Sequence, residues 1–340
     1  MRPRVNARAV ALVLLAIAGS RPARADDLWS SVAVTDDRQR VDREYGRAML
    51  DGDDAVAAAV ASDLPGTRQR LIDRAIGSYE LAARARPDQA EPHFRAASVL
   101  RAFHIDCHDV GLVPCQHRPT PAIRARLIEH WTAFEALAPG DPRITEEILF
   151  ERAVERTKLG TDDDLRAARD DYRKLLDLRP DGQFGAVLGN LAETDMMLGD
   201  LDGAFEAYRR TIARGADLSQ EFGLAVALDR DEQGSEARAI IAARGDAGLA
   251  RFQIELRRGA IFFVPEGEEL YYLALGEEAL GNDSAAIELW DGFISSGAHP
   301  QFDDRARHNR DALLHAPPGR PPPPRRTRGG WPPPPPTWTP

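Results

Sequence analysis

The sequence lacks the short motifs that identify the common enzyme classes. The pair Gly-Lys never occurs, which excludes a phosphate-binding GxxxxGK loop, and GxSxG, HExxH and GxGxxG are also absent. Carboxylates are plentiful, but helix surfaces carry such pairs routinely, so they identify no acid–base couple. We therefore expect a protein that is not an enzyme and that uses no cofactor.

Cysteine is scarce, and both cysteines lie in one stretch, CHDVGLVPCQH, at residues 107–117. In an exported protein the thiols meet an oxidising environment, and a Cys107–Cys115 disulfide would enclose seven residues. The alternative is a zinc or copper site, because imidazole and thiolate groups occur there at close spacing. Its ligands would come from His104, Cys107, His108, Cys115 and His117. The spacing matches neither a CxxC pair nor a haem attachment motif, so we predict the disulfide, and free thiols are a third reading.

Long apolar runs are also missing, except at the N-terminus. Arginines there precede an apolar run from Ala9 to Gly19, and Ala23 and Ala25 occupy the positions that a signal peptidase reads. The run is shorter than the roughly 18 residues that a membrane-spanning helix needs. We expect a signal peptide over 1–25, cleavage before Asp26, and no membrane insertion afterwards. The mature protein is then periplasmic or secreted, and the style of the signal indicates a bacterium.

The charge of the chain limits its partners. The net charge is −10, and it becomes −15 without the five arginines of residues 1–25. The last 24 residues carry four arginines and no acid, so the acidity lies in the body of the chain. An acidic body argues against nucleic acid and anionic membranes. A protein or peptide, unidentified from the sequence, is the expected partner.

One pattern of small and large residues recurs along the chain. An alanine is followed at offset 4 by a large aromatic residue and at offset 7 by another packing residue, so the three share one helical stripe. The four stripes are Ala75, Tyr79 and Ala82; Ala168, Tyr172 and Leu175; Ala204, Tyr208 and Thr211; and Ala286, Trp290 and Phe293. The small residue lets a neighbouring helix approach, and the aromatic ring fills the gap beyond it. The pattern predicts a repeating helical array.

Two of the stripes follow the same short turn. Leu198-Gly199-Asp200 and Leu280-Gly281-Asn282 each place the glycine five residues before the alanine of the stripe. Glycine adopts the left-handed conformation that ends one helix, and the short polar residue after it can cap the next. Amphipathic helices are predicted before the turns, over 188–197 and 270–279. The unit is therefore a helix, a tight turn and a second helix.

This unit resembles the tetratricopeptide repeat. Ala192 and Ala274 fall where the first helix of that family has a small residue, and Gly199 and Gly281 fall in its turn. The resemblance is good over 183–216 and 267–300, fair over 64–104 and 144–182, and poor over 217–266. It implies an all-α fold, an α-solenoid of helix pairs that is irregular in the middle.

Four segments follow from these patterns. They are the signal peptide over 1–25, an N-terminal helical cap over 26–63, the repeat domain over 64–316 and a tail over 317–340. Half of the 24 tail residues are proline, and four are arginine. Such a composition forms neither helix nor sheet, so we expect the tail to be extended and disordered.

The resemblance also implies where a partner binds, because solenoids bind peptides or protein segments on a concave face. Some family members grip a C-terminal carboxylate with lysine and asparagine at the fifth and ninth repeat positions. This chain has there Phe94 and Ser98, Gly189 and Glu193, and Tyr271 and Leu275. Since that clamp is missing, we predict a mixed apolar and acidic groove, with helix packing or solvated surface as the alternative for each residue. The predicted groove residues are Phe94, Arg101, Glu193, Tyr271 and Glu278.

The sequence thus predicts an exported, non-enzymatic scaffold that binds a protein segment on its helical repeats. Two alternatives stay open. One is a metal-binding module centred on the His/Cys insertion at 104–117. The other is a structural subunit of an envelope assembly that docks through its proline-rich tail, whose arginines and tryptophans suit an aromatic-lined groove or an acidic surface.

Overall fold

The computed structural model describes residues 25–105, 119–144, 146–178, 185–215, 218–259, 261 and 263–315. The helices are α1 Ala25–Ala61, α2 Pro65–Ala85, α3 Glu91–Leu100, α4 Pro121–Leu137, α5 Glu146–Leu159, α6 Asp162–Leu178, α7 Gly185–Met197, α8 Leu201–Ile212, α9 Leu218–Arg230, α10 Gly234–Arg257, α11 Glu268–Leu280, α12 Asp283–Ser296 and α13 Asp303–Leu314. A π-helical turn, Arg101–Ile105, follows α3, and a 3₁₀ turn, Pro300–Phe302, precedes α13. These ranges contain no strand, which confirms the all-α prediction.

Several predictions fall on residues outside this description. They concern the signal peptide, the insertion from residue 106 to 118 with both cysteines, and the proline-rich tail. They stay predictions. Among the described helices, none combines the length and the apolar character that crossing a membrane requires.

The chain divides into two compact units, and the division falls within α4. Unit 1 comprises the chain up to Pro119 together with His130–Pro139. In it α1 packs on α2, and α2 packs on α3. The ring of Phe94 packs at 5.3 Å from Phe134 and 5.9 Å from Trp131, between ring centroids. The long helix α1 covers most of the segment predicted as a cap.

Unit 2 comprises Thr120–Glu129 and the chain from Gly140 onward, and its helices form a solenoid. Each helix from α5 to α12 packs on the next one in the chain. In addition, α5 contacts α7, α7 contacts α9, and α9 contacts α11. The helices therefore stack as pairs, with the first helices of successive pairs lying side by side. This arrangement confirms the predicted α-solenoid. We call the surface formed by α5, α7, α9 and α11 the first-helix face.

The four predicted stripes are buried. One lies on α2, and the other three lie on α6, α8 and α12, the second helices of their pairs. Every alanine of the four stripes is fully buried, and Tyr79, Tyr172, Tyr208 and Trp290 are at most 2% exposed. The offsets of 4 and 7 thus place these residues against the neighbouring helices, as the periodicity predicts.

The two predicted turns form as expected, with one difference. Gly199 and Gly281 adopt φ values of 78° and 80°, in the left-handed region that glycine favours. Asp200 caps α8 by accepting a hydrogen bond from the backbone N–H of Gly203 at 3.0 Å. Asn282 makes no such cap, because its amide instead donates to the Oε2 of Glu277 at 2.7 Å.

The middle of unit 2 is irregular, as predicted, and the cause lies in α10. Gly245 has φ 62° and ψ −170°, which interrupts the helix between residues 234 and 257. The part before Gly245 follows α9 after a short turn, whereas the part after it places Leu249 against Gly276 of α11. One long segment therefore contacts two neighbours, where a regular repeat would use two separate helices.

Candidate functional site

A cavity of about 190 Å³ opens on the first-helix face of unit 2. Three successive first helices line it, with Thr157 from α5, Asn190 and Glu193 from α7, and Gln220 from α9. The segment between α10 and α11 adds Ile261 and Phe263 on another side. Because the stacking of pairs places these helices side by side, side chains far apart in sequence share one cavity.

Glu193 is the charged residue among the described lining of this cavity. Its Oε1 accepts a hydrogen bond from the Tyr208 hydroxyl, and its Oε2 accepts one from the Tyr272 hydroxyl at 2.7 Å. Tyr208 comes from the second helix of the same pair, and Tyr272 comes from α11. The carboxylate is therefore held in one orientation by two neighbouring elements.

Burial controls the protonation of this cluster. It raises the pKa of Glu193 to about 7, against the lowering effect of the two tyrosine hydrogen bonds. Burial also raises the pKa of Tyr208 and of Tyr272 well above the ordinary value, and the nearby Glu193 carboxylate raises both further. The tyrosines thus remain hydrogen-bond donors, while Glu193 changes its charge near neutral pH.

Two glycines make room for the side chains around the cavity. A Cβ on Gly189 would lie 3.1 Å from the Nε2 of Gln220, and a Cβ on Gly223 of α9 would overlap the Tyr208 hydroxyl. Gln220 is further fixed by its Nε2, which donates to the carbonyl of Gly185 at 3.1 Å. The wall of the cavity is therefore shaped by close packing between α7, α8 and α9.

The five predicted groove residues are divided between the two units. Phe94 and Arg101 belong to unit 1, and the other three belong to unit 2. Of those three, Glu193 alone is among the residues that line the cavity. Phe94 packs on two aromatic rings, as described above, and Arg101 lies in the π-helical turn after α3.

Tyr271 and Glu278 are buried between helices. The Tyr271 hydroxyl donates to the Oδ2 of Asp229 at 2.7 Å, and the Glu278 carboxylate accepts from Trp290 at 3.2 Å and from Arg238 at 2.9 Å. Helix packing, which was the alternative to a binding role, therefore describes these two residues in this structure. Contact of either one with a partner stays a prediction.

Of the predicted metal ligands, only His104 is among the described residues, in the turn after α3. Cys107, His108, Cys115 and His117 lie outside them. In the part of the chain that the structure describes, no three His, Cys, Asp or Glu residues are grouped so that they could hold a metal ion.

Several residues that line the cavity or contact Glu193 were not predicted from the sequence. Tyr272, Gln220 and Phe263 reach the site from elements that are distant from Glu193 in the chain. The paired aromatics on either side of Pro265 were one available signal, since tyrosine commonly brings a hydroxyl into a buried site. The sequence does not show which carboxylate that hydroxyl would meet.

A second cleft, of about 380 Å³, lies between α6, α7 and α8. Asp195 lines it together with Arg173, Arg210 and Arg214. Burial raises the pKa of Asp195 to about 6, although its Oδ1 lies 3.7 Å from guanidinium nitrogens of both Arg169 and Arg173. This carboxylate therefore already has cations of the chain beside it, unlike the one in the first cavity.

Comparison with protein-family models finds no match, and comparison with curated proteins finds none either. Among solved structures, one described as "Crystal structure of MamA protein" is similar to this chain, with 17% sequence identity and a TM-score of 0.39. The similarity covers 65% of this chain and 98% of that one. The assignment of an α-solenoid rests on the helix contacts of unit 2.

Proposed function

We propose that the protein is an exported, non-enzymatic scaffold that binds a peptide or protein segment along the first-helix face of unit 2. The observation that carries the proposal is the cavity, which three successive first helices line together. A segment extended across α5, α7 and α9 could place a side chain in it. The cavity is smaller than the roughly 300–1,000 Å³ of typical small-molecule sites, which favours a single side chain over a whole cofactor.

The charge distribution supports the same type of partner. The chain is acidic, and the sequence offers no enzyme motif around which a catalytic site could form. Export is proposed from the N-terminal apolar run and the small residues that follow it. A scaffold in that compartment would bind its partner without catalysing a reaction.

The proposal can be tested by selection from a random peptide library on the immobilised chain from Asp26 onward. Two serine variants provide the comparison. Ser219 lines the cavity on α9, so Ser219→Trp should fill it, whereas Ser235 is exposed at the start of α10. We expect the selected peptides to bind Ser219→Trp at least about tenfold more weakly than wild type. They should bind Ser235→Trp as they bind wild type.

Circular dichroism should show the same helix content for both variants. A loss of binding then results from the filled cavity and not from unfolding. The proposal is rejected if no peptide is enriched. It is also rejected if the enriched peptides bind the two tryptophan variants equally well, because they would then bind elsewhere on the chain.

A further inference from the structure

Resting on the proposed function, we propose that the cavity beside Glu193 is a subsite for a cationic side chain, an arginine guanidinium or a lysine ammonium, carried by the bound segment. This goes beyond a general binding face, because it assigns one chemical group to one place. The charge of the cavity, the remaining hydrogen-bonding capacity of Glu193 and the aromatic lining support this assignment.

The charge of the cavity favours a cation. Among its described lining residues, Glu193 carries the charge, and the others are apolar, hydroxyl, amide or aromatic. Beyond the lining, the charges of Glu268, which is acidic, and of Arg230 also act on Glu193. Arg230 donates to the Oε1 of Glu268 at 2.7 Å, with both side chains buried, so its charge is largely compensated. A cation in the cavity would therefore meet an uncompensated carboxylate.

The Glu193 carboxylate keeps capacity for further hydrogen bonds. Each of its oxygens accepts one tyrosine hydroxyl, and a carboxylate oxygen can accept two hydrogen bonds. Tyr208 and Tyr272 occupy one position on each oxygen and fix the plane of the group. A guanidinium or ammonium entering from the cavity could use the remaining positions, and charge-assisted hydrogen bonds of this type are the stronger ones.

The apolar and aromatic part of the lining suits the rest of such a side chain. Phe263 lines the cavity, and its ring centroid lies 4.4 Å from that of Tyr272. Aromatic faces attract arginine and lysine cations, and the methylene stems of these residues pack on apolar groups such as Met197. The side-chain amide of Asn190 adds a further polar group to the lining.

The cleft around Asp195 is the natural comparison, and it does not fit a cation equally well. Its buried carboxylate has Arg169 and Arg173 at 3.7 Å, and two further arginines line the space. Asp177 and Glu206 also line that cleft, but the guanidinium groups already beside its buried carboxylate would compete with a cationic ligand. The inference is therefore specific to the cavity on the first-helix face.

The direct test titrates the chain from Asp26 onward with single blocked amino acids, followed by NMR or calorimetry at pH 8. The probes are N-acetyl-arginine amide and N-acetyl-lysine amide, with the neutral isosteres N-acetyl-citrulline amide and N-acetyl-norleucine amide. We expect the cationic probes to bind at least about tenfold more tightly than their neutral isosteres. Glu193→Gln should remove that preference, because it keeps the shape of the side chain and removes the charge.

Glu206→Gln is the matched control, since Glu206 is an exposed acid on α8 outside this cavity. It should leave binding of the arginine probe within about twofold. Binding should also weaken as the pH falls below 7, because protonation of Glu193 removes the attraction. Tyr208, Tyr272, Glu268 and Arg230 are the other ionisable groups around Glu193, and the Glu193→Gln variant should lose this pH dependence.

The outcomes separate this inference from the proposed function. If the peptide selection enriches binders that carry no basic residue at a fixed position and that bind Glu193→Gln normally, the scaffold stands and the cation subsite is wrong. If the arginine probe binds through Glu193 but no peptide is enriched, the subsite stands for a free cationic ligand and the scaffold is wrong. Equal binding of arginine and citrulline by wild type also overturns the subsite.

Discussion

At the scale of single residues, Asp229 and Arg230 show how unit 2 holds two buried charges with fixed partners. Asp229 is fully buried and accepts hydrogen bonds from Tyr271, Arg305 and Asn309, each at 2.7 Å. Arg230, the next residue, is held by Glu268 and stacks with the rings of Tyr271 and Phe302. These contacts join α9 to α11 and α13. Pairing of this kind offsets the cost of taking a charge out of water.

We predict that Asp229→Ala lowers the free energy of unfolding by about 3–5 kcal/mol, because it leaves the guanidinium of Arg305 and the Asn309 amide without their acceptor. Asp231→Ala, two residues later in an exposed turn, should change it by less than about 0.5 kcal/mol. Denaturant unfolding followed by circular dichroism measures both. Equal effects of the two substitutions would contradict a structural role for the Asp229 network.

Glu193 should make stability depend on pH in a defined direction. Its pKa is about 7 in the folded chain and near 4.5 when exposed, so the folded state binds more protons between these values. Raising the pH through this window therefore removes stability from the wild type, and the effect is complete above pH 7. Glu193→Gln should be more stable relative to wild type at pH 8 than at pH 4 by roughly 2–3 kcal/mol.

The measurement is the free energy of unfolding of both chains from pH 4 to pH 8. Glu206→Gln, at an exposed acid, should run parallel to the wild type over the whole range. A difference between wild type and Glu193→Gln that does not change with pH would mean that Glu193 does not titrate in this window.

The residue scale is also where the sequence is least informative. The Glu193–Tyr272 hydrogen bond joins residues 79 positions apart, and no local pattern encodes such a pairing. In the alignment with the tetratricopeptide repeat, Glu193 takes the ninth position, where some family members have a residue that binds a carboxylate. That position pointed to this site. The same reasoning selected Tyr271 and Glu278, whose side chains pack between helices. Spacing shows which face of a helix is apolar, but it does not show which polar group is enclosed by a neighbour.

At the scale of elements, the four aromatic stripes share a feature beyond packing. In each one, the polar atom of the aromatic residue lies within hydrogen-bonding distance of a side chain on the preceding helix. The pairs are Tyr79 with Asp53 at 2.8 Å, Tyr172 with Thr157 at 3.5 Å, Tyr208 with Glu193, and Trp290 with Glu278 at 3.2 Å. The repeated unit thus includes one side-chain polar contact between its two helices. In the pair of Tyr208 and Glu193, the acceptor also lines the cavity.

Most of the elements could be predicted because their signals are local. The stripes depend on helical periodicity, and the turns at Gly199 and Gly281 depend on the backbone freedom of glycine. The break in α10 was harder to predict. Gly245 stands in a segment without Pro or a turn signature around it, and a lone glycine in a helical pattern is usually tolerated.

Two glycines with different backbone conformations give predictions of opposite sign. Gly199 has φ 78°, and no atom lies within 4 Å of the place that a Cβ would take, so Gly199→Ala adds only backbone strain, about 1 kcal/mol of destabilisation. Gly77 lies inside α2 with similar free space and an ordinary helical φ, so Gly77→Ala should stabilise by about 0.5–1 kcal/mol. Hydrogen exchange of the flanking helices measures each effect locally. Destabilisation by both substitutions would contradict the left-handed turn as the cause.

At the scale of the whole molecule, the sequence combines an acidic body with a predicted N-terminal signal peptide and a basic tail. The helical content and the stacking of pairs could be predicted, because each repeat carries the residues that pack on its neighbours. The division into two units could not be predicted from the stripes alone. It falls within α4, and the insertion with both cysteines precedes that helix in the chain.

The predicted signal peptide and the two cysteines together give a prediction about the mature protein. If the chain is exported, its N-terminus should be Asp26, and Cys107 and Cys115 should meet an oxidising compartment that favours their disulfide. Mass spectrometry of protein purified from its own compartment tests both points. The denatured, unreduced chain should begin at Asp26 and weigh about two mass units less than the reduced chain. A native mass that includes a metal, lost on denaturation with both thiols free, would favour the metal-binding alternative, and a chain that still begins at Met1 would reject export by cleavage.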